Sequence, residues 1–317
     1  MRRKKLVLAV CVAVLLGGYT AGIYGQEAGE LTQDQTQAPN TEENRTDIAR
    51  SVLESTGRSE QYDLADLEKV TVYFGGDVTG NEEDIVVTVH FGPKNTVVAA
   101  YTADGNVYQF IGDLGDLGDF YGVQSIQFVP VEDLGKDIVI IREQVDGSLG
   151  GFEQTDVLRG YVYDGKEFRD VLNTPQKIEA SWNQIWNQSD IQQPSLWQRI
   201  TEETESKWDG GEEPSVTITR YQTYLESDDT AKETIPQDNT FTEKESRVVV
   251  ERFFWSPQWN RFILREATEK ATGETVAVIE NLTLSPYMLA GFEDNKDYRI
   301  LRADGSTDYV EEGDLAF

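Results

Sequence analysis

The sequence predicts a mainly β protein. One short N-terminal helix precedes an antiparallel β domain over residues 66–175 and a second β-rich domain over residues 176–317. Three observations predict this. Runs rich in β-branched and aromatic residues recur from Leu67 onward, as in Val70-Thr71-Val72-Tyr73-Phe74 and Val216-Thr217-Ile218-Thr219-Arg220-Tyr221. Asp-Gly pairs separate several of them, at Asp104-Gly105, Asp164-Gly165 and Asp304-Gly305, and this dipeptide between two such runs is a strong hairpin signal. The first domain also repeats itself. Asp84-Ile85-Val86-Val87 aligns with Asp137-Ile138-Val139-Ile140, and Tyr101 to Gly105 aligns with Tyr161 to Gly165, at offsets of 53 and 60 residues.

In chain order, Arg2, Arg3, Lys4 and Lys5 precede the apolar run Leu6–Leu16, and small residues follow. Basic, apolar and small regions in that order describe an export signal over residues 1–25, cleaved after Gly22 or Gly25. The alternative is an uncleaved membrane anchor over residues 6–23, at the short end of a membrane span. Residues 26–40 are polar and read as a disordered linker, because they offer little apolar surface to offset ordering. A helix is expected over residues 41–57. Asn40 or Thr41 can cap it, Glu42 and Glu43 suit its first turn, Ile48 and Val52 share a face, and Gly57 ends it. Strands follow at Val70–Phe74, Ile85–Phe91, Thr96–Tyr101 and Val107–Phe110, and then the repeat of this unit. Gly112 to Asp119 reads as a flexible Gly/Asp connection between the two units. Beyond Pro175, Trp182, Trp186, Trp197 and Trp208 cluster. They read as core aromatics of a β domain, with a sugar-stacking platform as the functional alternative. Residues 226–245 read as a long acidic loop. Arg247–Phe254 and Trp259–Arg265 read as a hairpin turning at Ser256-Pro257-Gln258, and Val276–Ile279 as a further strand.

Charge bounds the partners. There are 57 acidic against 28 basic residues, for a net charge of −29. Such a surface repels phosphate backbones, which argues against nucleic acid as a partner. Any contact with a membrane is expected only through the N-terminal segment. The only cysteine, Cys11, lies in that apolar run, so the exported protein would carry no disulfide and no thiol nucleophile.

One stretch organises the first domain: Gly75-Gly76-Asp77-Val78-Thr79-Gly80-Asn81-Glu82-Glu83-Asp84-Ile85-Val86. Short oxygen-bearing side chains alternate around Gly80 and lead into a strand. The stretch resembles the FG-GAP or VCBS repeats of integrin-like β-propellers, whose loop reads Asp-x-Asn/Thr-Gly-Asp-Gly-x-x-Asp before an apolar strand. Asp77, Thr79, Gly80, Asn81, Asp84, Ile85 and Val86 match. Asn81 stands where the family has Asp, and the following Gly is missing, so the loop is one residue short. The resemblance covers residues 70–172. It implies a propeller-like fold for the first domain and calcium held by Asp77, Thr79, Asn81 and Asp84, with a backbone carbonyl near Glu83. Calcium needs six or more oxygen ligands. Without the ion, the same residues make an Asx-rich turn that bonds local backbone N–H groups.

Enzyme chemistries are few. His90 is the sole histidine, and Gly-x-Ser-x-Gly is absent, so a serine triad has no support. The common zinc sites lack ligands, and no nucleotide-binding glycine motif occurs. Carboxylate pairs remain open, but the sequence selects none and names no catalytic residue. These readings converge on an exported, non-enzymatic binding or scaffold protein at the cell surface, with a protein or glycan as ligand. The alternative is a carbohydrate-active enzyme that uses a carboxylate pair and the tryptophans.

Overall fold

The computed structural model describes residues 29–81, 83–92, 95–117, 122–146, 152–187, 195–229, 234–292 and 296–317. The signal or anchor expected at the N-terminus lies outside the described residues. Among the described residues, no helix is long and apolar enough to cross a membrane. The protein is mainly β, and every strand pairing is antiparallel.

The first sheet contains β1 (Glu30–Thr32), β2 (Leu67–Gly76), β3 (Asp84–Phe91), β4 (Asn95–Asp104) and β5 (Val107–Leu117), ordered β1-β5-β4-β3-β2. Among the described residues, two α-helices precede β2: α1 (Gln33–Gln37) and α2 (Glu42–Thr56). α2 matches its sequence signals. Thr41 accepts a hydrogen bond from the Asn44 amide, and Gly57 closes the helix in the left-handed region at φ 71°. Its apolar face, with Ile48, Val52 and Leu53, packs on Val70, Ile85, Val87, Val97 and Tyr101 of the sheet. The opposite face of the sheet, with Val86, Val98 and Ala100, meets Val123, Ile126, Val139 and Ile141 of the next sheet. β3 and β4 are therefore covered on both faces, which is why their sequences are continuous apolar runs instead of alternating ones.

The second sheet is an unbroken meander of eight strands: β6 (Gly122–Val131), β7 (Lys136–Asp146), β8 (Phe152–Tyr163), β9 (Phe168–Asn183), β10 (Trp197–Asp209), β11 (Ser215–Ser227), β12 (Thr242–Ser256) and β13 (Arg261–Ile263). α3 (Gln184–Asn187) follows β9. The sheet curls on itself. Ile138, Ile140 and Leu158 near one end cluster with Val216, Ile218 and Phe253 near the other. The Glu132 amide donates to the Gly210 carbonyl at 3.0 Å. The third sheet has the order β17-β16-β15-β14-β18, from β14 (Arg265–Glu269), β15 (Thr275–Asn281), β16 (Tyr298–Leu301), β17 (Thr307–Val310) and β18 (Leu315–Ala316). The 3-10 turn Pro286–Ala290 seats Leu289 among Ile178, Trp182, Ile200 and Tyr224 of the second sheet.

The repeat is visible as two four-strand runs, β2–β5 and β6–β9. Each has its aspartate at the second strand and turns at Asp104-Gly105 or Asp164-Gly165. The second run continues into β10–β13 instead of ending as a separate four-stranded sheet.

Four expectations are corrected. Residues 30–37 of the expected disordered linker are ordered. Leu31 is fully buried, β1 pairs with β5, and Thr32 and Gln35 form a reciprocal capping box. Gly112 to Leu117 belong to β5, where Leu114 is buried and Asp113 pairs with Arg58 at 2.7 Å. The domain boundary at residue 175 falls inside β9. Pro175 sits where the register with β8 shifts, and a bulge tolerates a residue without an N–H. The acidic loop is shorter than expected at both ends, because Glu226 and Ser227 end β11 and Thr242 to Glu245 begin β12.

Candidate functional site

The acidic turn between β2 and β3 is built from inside the chain. Asp84 is fully buried, and its Oδ2 accepts from the Thr79 amide at 2.7 Å and the Thr79 hydroxyl at 2.9 Å. Asn81 Nδ2 donates to Thr102 Oγ1 and the Ala103 carbonyl. The turn is also docked onto the second unit. The Asp77 amide donates to Asp137 Oδ2 at 2.9 Å, and the Asp137 amide donates to the Asp77 carbonyl at 2.6 Å. The two aspartates aligned by the repeat thus do parallel work: each holds a backbone amide of this turn. Asp77 Oδ1 and Asp84 Oδ1 remain buried without a protein partner, and the Glu83 side chain is exposed. Among the described residues, no group of three or more Asp, Glu, His or Cys is placed to hold a metal ion.

His90 lies on β3 with both ring nitrogens bonded, Nε2 to the Thr88 hydroxyl at 3.1 Å and Nδ1 to the Thr96 hydroxyl at 3.0 Å. Three of the tryptophans are structural. Trp182 and Trp197 are buried, and Trp208 packs edge-on against Phe262. Trp182 donates to Gln198 Oε1 at 2.8 Å, and Gln198 in turn donates to the Tyr224 hydroxyl. Trp186 lies on α3, and its side chain is outside those described.

A pair of buried carboxylates joined through a common group lies elsewhere, on the face of the second sheet turned toward the third. Glu202 on β10, Arg220 on β11 and Glu251 on β12 are all more than nine-tenths buried. Arg220 stands between the two acids. Its Nε and Nη2 donate to Glu251 Oε2 at 3.2 and 3.1 Å, and its Nη1 reaches Glu202 Oε1 at 3.4 Å. Nη2 also donates to Thr174 Oγ1, and Nη1 to the Pro175 carbonyl, at the β9 bulge. Gln222 donates to Glu202 Oε2 and to the Leu284 carbonyl. Arg247 donates to Gln222 Oε1 and to the Ser285 carbonyl. Burial raises both carboxyl groups above their ordinary range, and the Arg220 charge opposes the rise. Glu202, Arg220 and Glu251 line a cavity of about 110 Å³ with Phe253, Ile279 and Asn281.

The sequence reading missed this cluster, although a signal for it was present. On β11, Arg220 is in phase with the buried Val216 and Ile218. On β12, Glu251 is in phase with the buried Val249 and Phe253. A charged residue at an inward position of an alternating strand is the informative exception to the pattern.

No family model matches the chain, and comparison with curated proteins and with solved structures returns no match.

Proposed function

We propose that this protein is an exported, non-enzymatic binding or scaffold module that works outside the cytoplasm. The position of Arg220 carries the reading. A glycosidase needs two carboxyl groups with room between them for the scissile bond or for water. Here a guanidinium fills the space between Glu202 and Glu251 and bonds both. The cavity, at about 110 Å³, is well below the roughly 300–1,000 Å³ of ordinary ligand pockets. Three of the tryptophans that an enzyme would use as a platform serve the packing instead. The two four-strand runs, locked together at Asp77 and Asp137, support a blade-like, propeller-related reading of the first half. Arg2 to Lys5 ahead of Leu6–Leu16 supports export.

Hydrolysis assays with neutral and acidic oligosaccharides test the reading, beside Glu202→Gln and Glu251→Gln. No turnover is expected from any of the three proteins. Turnover by the wild type that both variants lose would make the chain an enzyme. N-terminal sequencing of protein from fractionated cells tests export: intact Met1 on cytosolic protein would refute it.

A further inference from the structure

A second cavity, of about 460 Å³, opens where three segments meet. Arg169 and Asp170 come from the start of β9, Trp259 and Arg261 from the β12–β13 turn, and Arg302 and Asp304 from the β16–β17 turn. In a chain of net charge −29, basic side chains outnumber acidic ones on this wall. Both acids are already in use. Asp304 accepts from the Ser306 amide and hydroxyl, and Asp170 holds Arg261.

The arginines, by contrast, have donors to spare. A guanidinium presents five N–H groups. Arg261 spends only Nη2, on Asp170 at 2.8 Å, and its Nε is buried without a partner. Arg302 uses Nη2 alone, for Glu269 at 2.9 Å and Asp308 at 3.1 Å. Arg261 is held below its ordinary basicity first by burial and also by the like charge of Arg299, and Asp170 opposes both. Each arginine of the wall has carboxylate partners, Arg169 in Asp164 and Glu167, Arg261 in Asp170, and Arg302 in Glu269 and Asp308, so what the wall leaves unmet is hydrogen-bond donors and not charge. A buried donor without an acceptor is costly, but Arg261 Nε is enclosed by protein, so the donors left for a ligand are those of Arg261 Nη1 and of Arg302 Nε and Nη1.

The cavity is also fixed in shape. Trp259 is held by its Nε1 bond to Glu266 at 2.9 Å and packs on the Ile263, Ala277, Ile279 and Leu301 cluster. Asn260 beside it has φ 47°, the one left-handed non-glycine among the described residues, a conformation that costs free energy and tends to persist at ligand sites. A volume of about 460 Å³ lies within the range of small-ligand pockets, roughly 300–1,000 Å³.

We propose that this cavity binds the carboxylate-bearing sugar of an acidic glycan, a uronic acid residue. Its carboxylate would take the free donors of Arg261 and Arg302, and its ring would lie along Trp259. A planar carboxylate matches the guanidinium fork, and an indole wall suits the apolar face of a sugar ring. This inference rests on the binding-module reading and names its ligand class.

The test is calorimetric titration of the full-length protein with trigalacturonate, in chelator so that no bridging cation makes the link. Neutral maltotriose and triglutamate serve as comparisons. Trigalacturonate should bind, and both comparisons should bind at least tenfold more weakly. Arg302→Gln and Trp259→Ala, checked for folding by circular dichroism, should each weaken trigalacturonate binding by tenfold or more. These two variants decide the outcome even if Arg261→Gln fails to fold. No binding of trigalacturonate at millimolar concentration, binding unchanged in both variants, or equal binding of triglutamate would overturn the proposal. Binding followed by cleavage of trigalacturonate would leave the site standing and refute the non-enzymatic reading instead.

Discussion

His90 shows how a single residue can be tested without reference to any ligand. Burial first, and the nearby Lys69 charge second, push its pKa down to about 4, against about 6.5 for a free imidazole. The unfolded chain therefore binds a proton on His90 that the folded chain refuses, between about pH 6.5 and 4. This contribution to stability is present above that window and is lost as the pH falls through it. Because His90 is the only histidine, its imidazole NMR signals need no assignment. They should titrate near pH 4, and a midpoint near 6.5 would mean that the ring reaches water. Asp84 gives the second residue-scale prediction. Asp84→Ala removes the acceptor for the Thr79 amide and hydroxyl, and should cost about 1–3 kcal/mol in urea unfolding for the donors left bare. Millimolar calcium should leave the melting temperature unchanged. Asp77 Oδ1 and Asp84 Oδ1 are the turn's buried oxygens without a protein partner, against the six or more that calcium takes. A calcium-dependent rise that vanishes in Asp84→Ala would show that the turn holds the ion.

At the scale of elements, what was legible follows from what surrounds each strand. α2, β3, β4, β7, the Asp-Gly hairpins and the turn after Ser256 could all be read, because capping residues, apolar runs and turn residues are local signals. β1 could not be read. Its order comes from one buried side chain, Leu31, and from pairing with β5 about eighty residues away, and neither partner is visible locally. The start of β12 was hidden for the opposite reason. Thr242 to Ser246 are exposed on both faces, so no alternation marks them, and their acidic residues suggest a loop. The bulge at Pro175 likewise looked like a boundary. β1 is the most informative of these to test. Leu31→Ala should destabilise the protein by about 2–5 kcal/mol, the cost of truncating a fully buried leucine. A spacer without structure would tolerate the change with no shift in the unfolding midpoint.

Across the whole molecule, the Arg220 cluster ties the second sheet to the third. Arg220 joins β9, β10, β11 and β12 through Thr174, Glu202 and Glu251. Gln222 and Arg247 carry the network on to the Leu284 and Ser285 carbonyls, just past β15. A buried ion pair adds little over a well-packed apolar replacement, but removing one partner strands a buried charge, at about 3–5 kcal/mol. Arg220→Met would strand two. It should therefore cost at least that much near pH 7, with the shared cavity wall and the attachment of the third sheet affected together. The pH dependence identifies the cause. Burial already raises both Glu202 and Glu251, and Arg220 is the foremost group that pulls each of them back, helped at Glu202 by Gln222 and Arg247. Without it, both carboxyl groups should titrate higher in the folded state. A raised carboxyl contributes stability below its unfolded pKa of about 4.3 and loses it as the pH rises through the folded value. The variant should thus lose more than the wild type on going from pH 5 to pH 7, and the difference between them should shrink on acidification as the stranded acids take up protons. Urea unfolding at pH 5, 6 and 7 measures it. A difference that stays constant across those pH values would mean that Arg220 acts through its packing alone, and that its charge does not hold the two sheets together.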